Sequence, residues 1–249
     1  MPRMKKDIDH ILSEWAYEPG DVSARLVRAG DGREVLQMRI EMGVLQLEVA
    51  GRPDRTRPGG AETYFDYLMA LAIHEGDGLV LSEEQCQEVD REFLQFYHRR
   101  ICWLRLREFG RAVRDADHSL ALMDFVRKCS PNEEWTMSHE QYRPFILFHR
   151  TQAAALSVLE EKAENQGPER AIEEIGGGLE RMRAFFAEHE AEERYDEDEM
   201  VQRLSELREY LREHYHVGRT LSERLADAIA TEQYELAARL RDEMAKRVR

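Results

Sequence analysis

The chain has 249 residues, 42% of them hydrophobic and 35% charged, with a formal net charge of −14. That length accommodates one large domain or two small ones, each with room for a core. The acidic balance argues against nucleic-acid or anionic-membrane binding by the chain as a whole, although a local basic patch can override an acidic average. No apolar run is long enough to span a bilayer, so no membrane partner is expected. Lys5 and Lys6 have no apolar stretch behind them, unlike a signal peptide. Cys86, Cys102 and Cys129 lack CxxC spacing and sit in apolar contexts, as buried thiols of a cytoplasmic protein do.

The expected fold class is α+β, mostly α: a small three-stranded antiparallel N-terminal sheet, a helical-repeat-like body and a C-terminal helical hairpin. The corresponding segments are 1–75, 82–216 and 219–249. Met4 to Trp15 reads as a short helix with Ile8, Ile11, Leu12 and Trp15 on one side. Three alternating runs follow, carrying Val22, Ala24 and Leu26, then Leu36, Met38 and Ile40, then Leu45, Leu47 and Val49. The alternation predicts a meander covered on one side, by the first helix or by a helix over Tyr64–Ile73. Between meander and second helix, Gly51–Gly60 places Arg52, Arg55 and Arg57 among prolines and glycines. Such a loop is either an anion-binding loop, since guanidinium pairs with phosphate or carboxylate, or a solvated connector.

From Ser82 to His216 the chain reads as nearly all helix. Ser82 with Gln85 opens a helix running to about Leu106, and a second extends from beyond Arg107-Glu108-Phe109-Gly110 to Ser130-Pro131-Asn132. A further pair spans Tyr142 to about Lys162 and, after Asn165-Gln166-Gly167-Pro168, a helix to about Phe186. Gly176-Gly177-Gly178 inside that last helix costs about 1 kcal/mol per glycine against alanine, which close helix contact or a kink explains. Phe96, Trp103, Phe109, Ala112 and Leu120 fall where a tetratricopeptide repeat puts its packing residues, so the pairs resemble tetratricopeptide-like helical hairpins. Arg100 stands where that repeat has glycine, and the pairs recur at about sixty residues rather than 34. Glu188–Glu213, with the run Asp196-Glu197-Asp198-Glu199, reads as an exposed acidic helix striped by Met200, Leu204, Leu207 and Leu211. Val217-Gly218 reads as a flexible joint.

No catalytic motif emerges. GxxxxGK[ST] is absent, as is a GxGxxG after a strand. His74-Glu75, His139-Glu140 and His189-Glu190 lack the second histidine of a zinc protease, His214-x-His216 lacks further ligands, and no serine or cysteine sits in a nucleophile elbow. Asp115 and Asp117 point to different sides of a helix. No catalytic residues, metal or cofactor are therefore expected, and the chain reads as non-enzymatic.

The C-terminal stretch is the most specific. Thr220 with Glu223 forms a capping-box start, Leu221, Leu225, Ala228 and Ile229 share one helical face, and Tyr234, Ala237, Leu240 and Met244 share another. Two short helices with facing apolar stripes make an antiparallel hairpin. The string Tyr234-Glu235-x-Ala237-Ala238-x-Leu240-Arg241-Asp242, preceded by Leu221 and Leu225, resembles the UVR motif shared by the UvrB and UvrC proteins of nucleotide excision repair. It covers about an eighth of the chain. The resemblance implies a protein–protein interaction hairpin and an adaptor that docks onto a UvrB/UvrC-type repair component. Partner contact is expected through Leu225, Ile229, Tyr234, Glu235, Ala237, Ala238, Arg239, Leu240, Arg241 and Asp242, with Tyr234 and Leu240 at the energetic centre. The motif also occurs in Clp-type stress complexes, which leaves an adaptor or regulator of a Clp protease as an alternative. A DNA-binding repair accessory using Arg52, Arg55, Arg57 and the tail Arg239, Arg241, Lys246, Arg247 and Arg249 is another, as is an enzyme or enzyme regulator with a site between sheet and helical body. The zinc-binding CxxC pairs of McsA-type regulators are missing.

Overall fold

In the computed structural model, residues 7–160 and 167–247 are described. Helix α1 (Asp9–Glu14) precedes strands β1 (Ala24–Arg28), β2 (Glu34–Ile40) and β3 (Gly43–Glu48). Helices α2 (Tyr64–Glu75), α3 (Glu83–Arg105), α4 (Phe109–Cys129), α5 (Glu133–Glu140) and α6 (Arg143–Glu160) follow. After residues 161–166, which lie outside the described set, come α7 (Gly167–Glu188), α8 (Glu199–His214), α9 (Leu221–Ala230) and α10 (Tyr234–Arg247). The protein is thus α+β and mostly helical, with a small three-stranded sheet near the N-terminus. It divides into two compact units, Met1–His149 and Arg150–Arg249. Side-chain ties described below bind the sheet to α3 and the hairpin to α7 and α8. Residues 4–6 of the expected first helix lie outside the described residues.

The sheet is an antiparallel meander in the order β1-β2-β3, with Leu36 paired to Leu26 on one side and Leu47 on the other. Val35 and Leu36, which point to opposite faces, are both 0% exposed. The one-sided cover predicted from alternation is therefore corrected: β2 is covered on both faces. Arginines and an aromatic ring provide the second cover. Arg39 Nε donates to the Trp15 carbonyl at 2.8 Å, and the Trp15 indole donates to Ser23 Oγ at 2.6 Å. The Arg25 guanidinium lies 4.3 Å over the Trp15 ring and donates to Gln37 Oε1 at 3.0 Å. Long arginine stems cover apolar surface while their heads find acceptors, so a polar letter in the pattern does not mean a wet face. Helix α3 packs against β1 and β2, and Trp15, the last residue of the expected first helix, lies on the arginine-bearing face.

In the same unit, α3 opens on the Ser82–Gln85 capping box and α2 on an equivalent one between Thr63 and Asp66. Leu68, Leu81, Val89, Leu122 and Val126 form the core between α2, α3 and α4. Phe96, Trp103, Phe109 and Ala112 are buried, and Leu120 packs against a second cluster of Ala116, Met123 and Ile146. Helix α5 lies where the residue pattern gives no expectation of one. Asn132 starts it by accepting from the Trp135 amide at 2.9 Å. All three cysteines are free and buried, and burial pushes the Cys102 thiol up to about 12.

In the second unit α7 packs along α8 and comes close to α6 at Gly167 and Gly178. A Cβ on Gly178 would fall 2.2 Å from the Thr151 side chain, whereas one on Gly176 would meet nothing. Close contact, then, accounts for one member of the glycine triplet. Val201, Leu204 and Leu211 of α8 are buried, with Met200 and Leu207 half-buried, so the helix expected to be exposed is a packed one. Within the acidic run, Asp198 accepts from the amides of Met200 and Val201 at 2.9 and 3.1 Å and caps α8.

Candidate functional site

The C-terminal hairpin is built as its residues predict. Thr220 and Glu223 satisfy each other's amides at the start of α9, and Thr231-Glu232-Gln233 turns the chain into α10, with Glu232 at φ 57°. Leu221, Ala228, Ala237 and Leu240 are buried together, with Leu225 and Met244 packed against them. Small alanines at 228 and 237 let the two backbones approach.

That packing divides the apolar set. Leu240 and Ala237 are sealed between the two helices, and Leu225 is half-buried among them. Ile229 is 55% exposed, Tyr234 68% and Leu236 38%. Ala238, Glu235, Arg239, Arg241 and Asp242 are also exposed, with Arg239 and Glu235 3.8 Å apart one turn along the helix. A short helix pair has one stripe per helix to spend on its own closure, so Leu240 cannot also face a partner. The outward apolar residues instead gather near the turn, and Leu236, absent from the expected set, is among them.

The base of the hairpin is tied down. Arg212 on α8 donates to the Gly218 carbonyl at 2.6 Å and pairs with Glu223, and Ser222 Oγ donates to Glu173 of α7 at 3.3 Å. Arg219 pairs with Asp227. The Val217-Gly218 stretch, read as a flexible joint, is thus bridged on both sides.

The basic loop resolves differently from its expectation. Arg52 is only 3% exposed. Its Nη2 donates to Glu88 Oε2 at 2.7 Å and its Nη1 to Thr56 Oγ1 at 3.2 Å, while Nε lies 3.5 Å from Glu92 Oε2. Its charge is met by acids of the same unit, so Arg52 is corrected from anion binder to internal tie. Arg55, at φ 69°, and Arg57 are exposed. Two separate surface arginines make a weak grip on a phosphate backbone, whose binding grows with the number of charges neutralised. Of the basic tail, the side chains of Lys246 and Arg247 and the whole of Arg249 lie outside the described residues.

Glu92 is fully buried and accepts from the Tyr64 and Phe65 amides at 2.6 and 3.0 Å. His118 Nε2 lies 3.0 Å from Oε1, the oxygen that also accepts from Phe65. The cluster joins the loop, α2, α3 and α4 with all its oxygens occupied, which is a structural hub. Asp115 is likewise taken up, by Arg99, and His214 and His216 are exposed. Among the described residues no group of three or more His, Cys, Asp or Glu is arranged to hold a metal, and no helix is long and apolar enough to cross a membrane.

Comparison with protein-family models, curated proteins and solved structures finds no match. The site therefore stands on its own geometry. Residues that pattern reading passed over are Glu92 and Arg99. Both had a signal: Glu92 lies three residues after Val89 and four before Phe96, and Arg99 three after Phe96, all in register with a buried stripe.

Proposed function

We propose that the protein is a non-enzymatic adaptor that docks through its UVR-like C-terminal hairpin onto a UvrB/UvrC-type nucleotide excision repair component in the cytoplasm. One observation carries this reading: Ile229, Tyr234 and Leu236 stand in solvent on a hairpin whose interior is already filled. Exposed aromatic and branched side chains on a rigid helical tip are what a partner hairpin buries, and aromatic anchors dominate such interfaces. Glu235, Arg239, Arg241 and Asp242 surround them with both signs of charge, which fixes register at a rim. The motif string supplies the identity of the partner, and the buried thiols suit a reducing compartment.

The test is pull-down of purified UvrB-type protein by the full chain and by the Ile229→Asp, Tyr234→Ala double variant. The expected result is loss of capture with an unchanged circular dichroism spectrum. Leu240→Asp serves as a contrasting control, since it should cost helicity by opening the hairpin itself. Capture retained by the double variant rejects the docking role, and capture of a Clp-type partner in place of the repair protein reassigns it.

A further inference from the structure

A cavity of about 690 Å³ opens in the first unit between α3, α4, α5 and the start of α6. On α3 it is lined by Asp90, Phe93, Leu94, Tyr97 and Arg100, whose spacing places them on one face over about 15 Å of helix. The opposing wall includes Met123, Phe145 and Ile146. Leu94 and Tyr142, at the surface, are 56% and 59% exposed. The walls are mostly apolar, with an exposed carboxylate, Asp90, at one end and a single buried charge.

That charge is Arg100. It is 2% exposed, and its neighbourhood leaves it short of partners. Nη1 donates to Ser119 Oγ at a long 3.3 Å, Nε has no hydrogen-bond partner, and no carboxylate pairs with it among the described residues. Asp115 is the acid whose field reaches it, but both Asp115 oxygens are held by Arg99 at 2.7 and 2.8 Å. The neighbouring His149 also has an unpartnered Nδ1. A buried guanidinium without a counter-ion is costly unless something supplies the anion. Its fork matches a carboxylate with two parallel bonds.

We infer that this cavity binds a monocarboxylate with a long apolar body, its carboxylate on Arg100 and Ser119 and its chain along Phe93, Leu94, Met123 and Ile146. One guanidinium balances one negative charge, which disfavours a dianionic phosphate. Asp90, at the far end of the α3 face beside His139 at 2.9 Å, disfavours a second acidic group there. The inference is independent of the hairpin.

Titration calorimetry on the full chain with decanoate, decanol and decyl phosphate tests it. Decanoate is expected to bind with one site, at least about tenfold more tightly than decanol or decyl phosphate, as a charge-assisted hydrogen bond provides. Arg100→Met removes a buried charge while keeping bulk, and should abolish the preference for decanoate over decanol with decanol binding retained. Equal affinity of acid and alcohol for the native protein overturns the inference without any variant. So does absence of decanoate binding, tighter binding of the phosphate, or unchanged decanoate affinity in Arg100→Met.

Discussion

Arg99 and Asp115 meet in a two-bond fork inside the first unit, Nε and Nη2 lying 2.8 and 2.7 Å from the two carboxylate oxygens. The third nitrogen of the same guanidinium donates to the carbonyls of Glu48 and Gly51 at 3.0 and 2.8 Å. One side chain thus joins α3, α4, the end of β3 and the loop behind it. Arg100, one residue later, turns to the cavity with no such acid.

The fork predicts an asymmetry between single and double variants. Asp115→Ala leaves Arg99 charged and buried, and should lower unfolding stability by about 3–5 kcal/mol. Arg99→Met together with Asp115→Leu removes both charges and should recover most of that loss. Urea denaturation followed by tryptophan fluorescence measures both. A double variant as unstable as the single one would show that the pair is not coupled through charge.

Gly178 should tolerate no side chain while Thr151 is in place. Gly178→Ala gains about 1 kcal/mol of helix propensity but drives a methyl into the Thr151 side chain 2.2 Å away. Overpacking costs about 1–3 kcal/mol, so the net change is destabilising. Thr151→Gly in the same chain should relieve it, and Gly176→Ala, with open space around it, should stabilise. Thermal melts of the three variants give the order.

Stability should fall on acidification through His149. Burial, reinforced by the Arg100 charge, holds its folded-state pKa at about 4, against 6.5 for the free imidazole. Above pH 6.5 the ring is neutral in both states and its full contribution is present. Between 6.5 and 4 the unfolded chain takes up a proton that the folded chain refuses, so stability drops as pH falls, by about 3 kcal/mol in all. His149→Asn should flatten that window relative to the native protein. Parallel stability–pH curves for the two would remove His149 as the source.

Local chemistry alone determined much of this protein. Capping boxes at Ser82 and Thr220, glycine and proline punctuation and helical periodicity placed α3, α4, α7, α9 and α10, because each signal acts within a few residues of itself. Strand alternation placed β1 to β3 for the same reason. The two helices of the C-terminal hairpin were legible, since they close on each other across a three-residue turn. Tertiary structure decided where each charge and each exposed apolar group ended up. Arg52, Arg99 and Arg100 look alike in the chain, yet one meets Glu88 and Glu92, one meets Asp115, and one faces an apolar cavity. Those acids lie between 16 and 40 residues from their arginines (52 to 88, 52 to 92, 99 to 115), a separation that no local pattern spans. Likewise Leu240 and Tyr234 share one helical stripe, and only the packing of α9 on α10 turned the first inward and left the second in water.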